Sequence, residues 1–169
     1  MEKKSGPEFY IDGQSLGNQQ KTLPRQAKIA VAIREKPNSA FQLHWEEIGD
    51  RTNNEAEYYA LMKALNMILE KWPELASAAT RKGMEPVKVF SDSLLVVNQV
   101  KGVYEATDTR LRQLCDNAKA MMKKLGTVKL EWISREENYA GQWIEERWKG
   151  GKVEVIKDGP PPPEVVAKV

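Results

Sequence analysis

An α/β fold, with a mixed five-stranded sheet flanked by helices, is predicted by three features of the sequence. Its first half carries three short alternating strands in succession. A long amphipathic helix follows, and the second half alternates apolar strand runs with helical periodicity. A meander of neighbouring strands leading into β-α-β units gives a sheet in which antiparallel and parallel pairs coexist.

The elements follow in order. Residues 1–7 are a polar lead-in. Glu8 to Asp12 is rich in aromatic and β-branched residues and reads as a strand ended by Gly13. Residues 14–25 lack periodicity and form a loop. Ala27 to Arg34 is the second strand, Lys36-Pro-Asn-Ser39 supplies turn chemistry, and Ala40 to Ile48 returns as the third. A helix runs from about Asn53 and is interrupted near Pro73. Its start carries a capping-box pattern, Thr52-Asn-Asn-Glu55. Val87 to Phe90 is an apolar strand that delivers Asp92 to its C-terminal end, and a helix leaves at once and stops at Lys101-Gly102. A further helix starts at Thr107-Asp108, shows Leu111, Leu114, Cys115, Ala118, Met121 and Met122 on one face, and ends at Gly126. Thr127 to Ile133 alternates as a strand with Val128, Leu130 and Trp132 on one side. After Asn138 a last helix carries Ala140, Trp143, Ile144, Arg147 and Trp148. This divides the chain into a lead-in (1–7), one domain (8–149) and a proline-rich, flexible tail (150–169), within which Lys152 to Lys157 is a candidate short strand.

Composition narrows the function classes. The chain has 169 residues, enough for one ordinary core, and a net charge of +2, which argues against a protein that binds nucleic acid by phosphate neutralisation alone. One cysteine excludes an internal disulfide, and Cys115 reads as a packing residue. No run is long and apolar enough for a membrane span, and a cytoplasmic protein without a membrane partner is expected.

Three carboxylates stand at comparable junctions: Asp12 after the first strand, Glu57 at the head of the long helix, and Asp92 after the fourth strand. In open α/β sheets ligands bind at such strand ends. Glu57 falls in register with Leu61, Ala64, Leu65 and Ile68, the stripe that faces the sheet, where a carboxylate is costly without a partner such as a metal. Taken singly, each has a plainer reading. Asp12 suits a turn, Asp92 an N-cap and Glu57 a contact with the helix dipole. Together they suit magnesium, which takes hard oxygen ligands from a few carboxylates.

Four stretches, Phe9-Tyr-Ile-Asp-Gly-Gln-Ser-Leu-Gly-Asn18, Thr52-Asn-Asn-Glu-Ala-Glu-Tyr-Tyr-Ala-Leu61, Phe90-Ser-Asp-Ser-Leu-Leu-Val-Val-Asn-Gln-Val100 and Trp132-Ile-Ser-Arg-Glu-Glu-Asn138, resemble in order and spacing the motifs of type 1 ribonuclease H. The short connection from Lys101 to Thr107 resembles the compact bacterial and archaeal branch, which lacks a basic protrusion. The resemblance implies a ribonuclease H-like fold and a monomer with no obligate protein partner. It also implies an endonuclease that cuts the RNA strand of an RNA/DNA hybrid with two Mg2+ ions, or Mn2+ in their place. By position it makes Asp12, Glu57 and Asp92 metal ligands. Gly13, Asn18, Thr52, Asn53 and Asn54 become substrate contacts, the asparagines facing the RNA 2′-hydroxyls.

The chain also departs from that pattern. The family's fourth acid lies early in the last helix, and counting from Asn138 places Gln142 there. Glutamine can ligate through its carbonyl but offsets no charge, so activity is expected to be reduced or biased toward manganese. Glu145 and Glu146, three and four residues on, are alternative donors or simply a solvated face. The only histidine, His44, lies mid-strand and reads as structural. Lys21 and Arg25 make the glycine loop more cationic and either touch substrate or solvate the loop. A catalytically silent hybrid-binding domain is the principal alternative, and a nuclease of the same fold acting on DNA is a third reading.

Overall fold

The computed structural model describes residues 6–16 and 24–159. Strand β1 (Glu8–Leu16) is the organising strand. It pairs antiparallel with β2 (Gln26–Arg34), which pairs antiparallel with β3 (Phe41–Gly49); on its other side β1 pairs parallel with β4 (Val87–Ser91), and β4 pairs parallel with β5 (Val128–Trp132). The meander and the parallel half are therefore as expected.

The sheet has six strands rather than five. β6 (Val153–Lys157) pairs parallel with the edge of β3, giving the order β5-β4-β1-β2-β3-β6 and carrying the sheet past residue 149 into the stretch expected to be a flexible tail. Its alternation is weak, and what holds it is non-local. The Asp158 backbone N–H donates to the Trp45 carbonyl at 3.0 Å, and the Asp158 carboxylate meets His44 Nδ1 at 2.7 Å and Lys63 Nζ at 3.1 Å. His44 thus has the structural part expected of it. The prolines that begin at residue 160 lie outside the described residues.

Helices cover both faces. Helix α1 (Asn53–Lys71) starts at the expected capping box, with the Thr52 side chain accepting from the Glu55 N–H at 3.1 Å and Glu55 Oε1 accepting from the Thr52 N–H at 3.1 Å; it ends before Pro73. After a short turn of helix α2 (Ala78–Arg81), helix α3 (Leu94–Val100) and helix α4 (Thr109–Leu125) complete the layer on that face, closing over Phe9, Ile11, Ile29, Val31 and Val89. Cys115 is buried there, as its packing role required. Helix α5 (Tyr139–Ile144) covers the opposite face, where Tyr10, Ala30, Ala32, Phe41 and Leu43 pack with Tyr139 and Trp148. The strict alternation of β1 sends Phe9 and Ile11 to the first face and Tyr10 and Asp12 to the second.

Three expectations are corrected. Gly13 does not end β1, which continues to Leu16 because β2 supplies partners over its whole length. The last helix stops at Ile144, and Glu146 adopts a φ of 58°, so Arg147 and Trp148 lie beyond it. Trp132 shares a side with Val128 and Leu130 yet remains 49% exposed.

Candidate active site

The three acids meet. One ligand oxygen each from Asp12, Glu57 and Asp92 lie within 4.8 Å of one another, at the end of the sheet where β1 and β4 deliver their aspartates and α1 begins. Asp12 is fully buried and Glu57 is 8% exposed.

Each carboxylate is held by a neighbour. Glu57 Oε1 accepts the Gly13 N–H at 3.0 Å, Asp12 Oδ2 accepts from Gln14 Nε2 at 3.0 Å, and Asp92 Oδ2 accepts from Asn138 Nδ2 at 3.1 Å. Gly13, expected among the substrate contacts, also lets two backbones close. A β-carbon there would lie 2.3 Å from the Ala56 carbonyl carbon and oxygen and 2.6 Å from the Glu57 nitrogen. The head of α1 can approach β1 only because that atom is missing. Gly13→Ala is therefore expected to cost about 3 kcal/mol, read by urea denaturation, since the obstructing atoms are backbone and have nowhere to go.

Asn138 holds one of the three acids, a part the sequence reading missed. It is fully buried. Its Nδ2 donates to the Ile11 carbonyl at 2.8 Å as well as to Asp92, while its Oδ1 accepts the Ala140 N–H at 3.2 Å and the Gly141 N–H at 3.5 Å. One amide thus caps α5, ties it to β1 and aims Asp92. The available signal was an N-cap residue just before the last helix. Asn138→Ala should lower stability by about 2 kcal/mol and divalent-metal affinity by roughly 10- to 100-fold, as loss of a ligand's outer partner does; calorimetric metal titration checks the second effect.

The electrostatics of the cluster favour a bound cation. Burial raises the Asp12 carboxyl to about 6, offset in part by the Glu57 carboxyl beside it and reinforced by the charge of Asp92. Burial and then the Asp12 charge push Glu57 well above the usual carboxylate range, and burial raises Asp92 too. Asp12 Oδ1 and Glu57 Oε2 are buried with no hydrogen-bond partner. Two bare oxygens in a cluster of three acids are the donor set that a hard divalent cation takes, so the residues present fit magnesium or manganese.

The fourth position differs from expectation. Gln142 is turned away: its Nε2 donates to the Glu136 carbonyl at 2.6 Å and its Oε1 accepts the Lys149 N–H at 3.2 Å. The residue that faces the acids is Gly141. Its β-carbon would lie 3.3 Å from Asp12 Oδ2 and 3.5 Å from Asp92 Oδ2. Glu145 is the C-cap of α5, its N–H donating to the Gly141 carbonyl at 3.0 Å and its carboxylate 3.6 Å from Arg135, whereas Glu146 has left the helix.

The expected substrate contacts are placed as follows. Thr52 is the N-cap of α1, as the capping-box pattern predicts. Asn53 and Asn54 are exposed beside it, and Asn53 Oδ1 accepts the Ser15 N–H at 2.6 Å. These residues line an open cavity of about 540 Å³ with Arg25 and Arg110. Arg25 is held by Asp50 at 2.8 Å. Asn18 and Lys21 lie outside the described residues.

The chain is similar to known proteins over most of its length. Residues 17–144 match a family described as reverse transcriptase-like. Ribonuclease HI of Halobacterium salinarum is 27% identical over 129 residues, which is 76% of this chain and 57% of that protein. This chain therefore spans little more than half the length of that curated relative. Among solved structures, LC11-RNase H1 in complex with an RNA/DNA hybrid superposes with a TM-score of 0.65 at 28% identity, covering 78% of this chain and 88% of that one. RNase H1 of Halobacterium salinarum superposes at 0.66 with 23% identity over 85% and 97% of the two chains, a likeness of fold. Among the described residues no helix is long and apolar enough to cross a membrane.

Proposed function

Since this chain belongs to the reverse transcriptase-like family and has the ribonuclease H fold, we propose that it hydrolyses the RNA strand of RNA/DNA hybrids, with Asp12, Glu57 and Asp92 holding two divalent cations, Mg2+ or Mn2+. The observation that carries this reading is the convergence of three acids, two of them buried and each of those two with one unpartnered oxygen. Bound divalent ions offset the acids' charge, activate water and stabilise the leaving oxygen of a phosphodiester.

The chain's own residues do the rest. Gly13, Gln14 and Asn138 fix one carboxylate each, so the ligand oxygens are arranged before substrate arrives. Asn53 spends its carbonyl on Ser15, which leaves its amide N–H groups to donate to a 2′-hydroxyl, the group that separates RNA from DNA. Thr52, Asn54 and Arg25 border the adjacent cavity, which suits a backbone phosphate.

A second reading has its own observation. Gly141 supplies no carboxylate toward the acids, and a hybrid-binding domain without turnover would look the same. Incubating a hybrid with end-labelled RNA, in Mg2+ and separately in Mn2+, decides between them. Cleaved RNA, with duplex DNA left intact, is expected. Binding without cleavage in either ion would establish the silent domain, and cleavage of duplex DNA would establish the third reading.

A further inference from the structure

Among the described residues the exposed large apolar side chains are Leu16, Leu94, Val103, Tyr104, Trp132 and Val155. Two of them flank Asp92. Leu94 opens α3 two residues after it, and Trp132 lies opposite Ser91 in the β4–β5 register. Trp132 is also anchored, its Nε1 donating to the Asp92 backbone carbonyl at 3.2 Å. Single exposed apolar residues need no explanation. An indole tied by its only polar atom to the main chain of a metal-site residue, with its ring still 49% exposed, is a different case. The hydrogen bond restricts the ring, and half of the residue stays open to solvent.

Resting on the hybrid-cleaving reading above, we infer that Trp132 and Leu94 form an apolar lip that receives the sugar edge of the hybrid beside the attacked phosphate. The occupant follows from what a duplex offers. Its bases are paired and stacked inside, and a hybrid approaching A-form presents riboses and 2′-hydroxyls across a wide, shallow minor groove. With the attacked phosphate over Asp12 and Asp92, the next surface toward β5 is the Trp132 ring. Its partner is then the apolar face of a neighbouring sugar, and the contact carries no charge.

Steady-state cleavage of one hybrid by full-length variants tests this, together with Mg2+ affinity by calorimetry. Trp132→Ala should raise KM about five- to tenfold, in line with some tens of Å² of apolar surface no longer covered by the sugar, with kcat within about twofold. The increase should be equal at low and moderate salt, unlike the effect of removing a phosphate-binding cation. Trp132→Phe keeps a ring but not the hydrogen bond, and should restore most of the KM. Leu94→Ala should raise KM by a smaller factor. Mg2+ affinity should stay unchanged in all three.

An unaltered KM in Trp132→Ala would overturn the inference. So would a Phe variant that behaves like the Ala variant and loses Mg2+ affinity, because Trp132 would then act only by positioning Asp92. If the wild-type protein leaves the hybrid uncut, the proposed function fails first and the lip falls with it. If the wild type cuts and Trp132→Ala is unchanged, only the lip is lost.

Discussion

Replacing Asp12 with asparagine is expected to lower hybrid cleavage on the order of 10³-fold, since several kcal/mol of charge stabilisation at the reacting phosphate depend on the metal it holds. The same change should stabilise the metal-free protein at neutral pH. Burial lifts the folded-state carboxyl to about 6 from 3.8, so between these values the folded chain binds more protons than the unfolded one. Stability then falls as pH rises through that window. The contribution is complete below about pH 4 and is lost above about pH 6. An asparagine side chain cannot ionise, so the Asp12→Asn variant should escape a penalty on the order of 2–3 kcal/mol, shared with the coupled Glu57. Thermal melts in a chelator from pH 4 to 8 would show the wild type losing stability and the variant losing less; parallel curves would mean that Asp12 ionises in the fold without cost. Adding Mg2+ should recover stability in the wild type alone.

Gly141→Asp is expected to do the opposite. The space before Gly141 opens onto Asp12 and Asp92, and its two carboxylate neighbours at 3.3 and 3.5 Å leave room for a β-carbon after small shifts. A fourth acid there adds charge and a ligand, which should raise Mg2+ affinity about tenfold or more. Without metal it adds repulsion to a cluster already resisting ionisation, so the chelated variant should melt lower than the wild type at pH 7. Gln142→Asp is the matched comparison. Its side chain is committed to the Glu136 carbonyl and the Lys149 N–H, and metal affinity should hardly move. Equal gains from both variants would show that α5 can rotate, and the assignment of Gly141 would fail.

Much of this was legible in the chain itself. The strands of the meander, the capping box at Thr52 and Glu55, and the delivery of Asp92 by an apolar run are local patterns, set by side-chain alternation and hydrogen bonds a few residues apart. The convergence of Asp12, Glu57 and Asp92 was also legible, because Glu57 lies near the start of α1, Asp92 follows β4, and Asp12 follows the last residue of β1 that pairs with β4, so the order of elements brings the three to one edge.

What was read only in part has a common cause. Lys152 to Lys157 offered a short strand pattern, but what holds β6 in place is Trp45, His44 and Lys63, all far from it along the chain. Counting from Asn138 located the fourth position within one residue. One residue on a helix is about 100° of rotation, however, and that rotation is set by Asn138 reaching Ile11 and Asp92.

The sequence by itself thus determined which elements form and which acids share an edge, since both follow from short-range periodicity. Only the tertiary structure decided that Gly141 faces the acids, that Gln142 turns away and that Trp132 stays bare. The angle of a helix and the cover over a strand end depend on contacts between segments far apart in the chain.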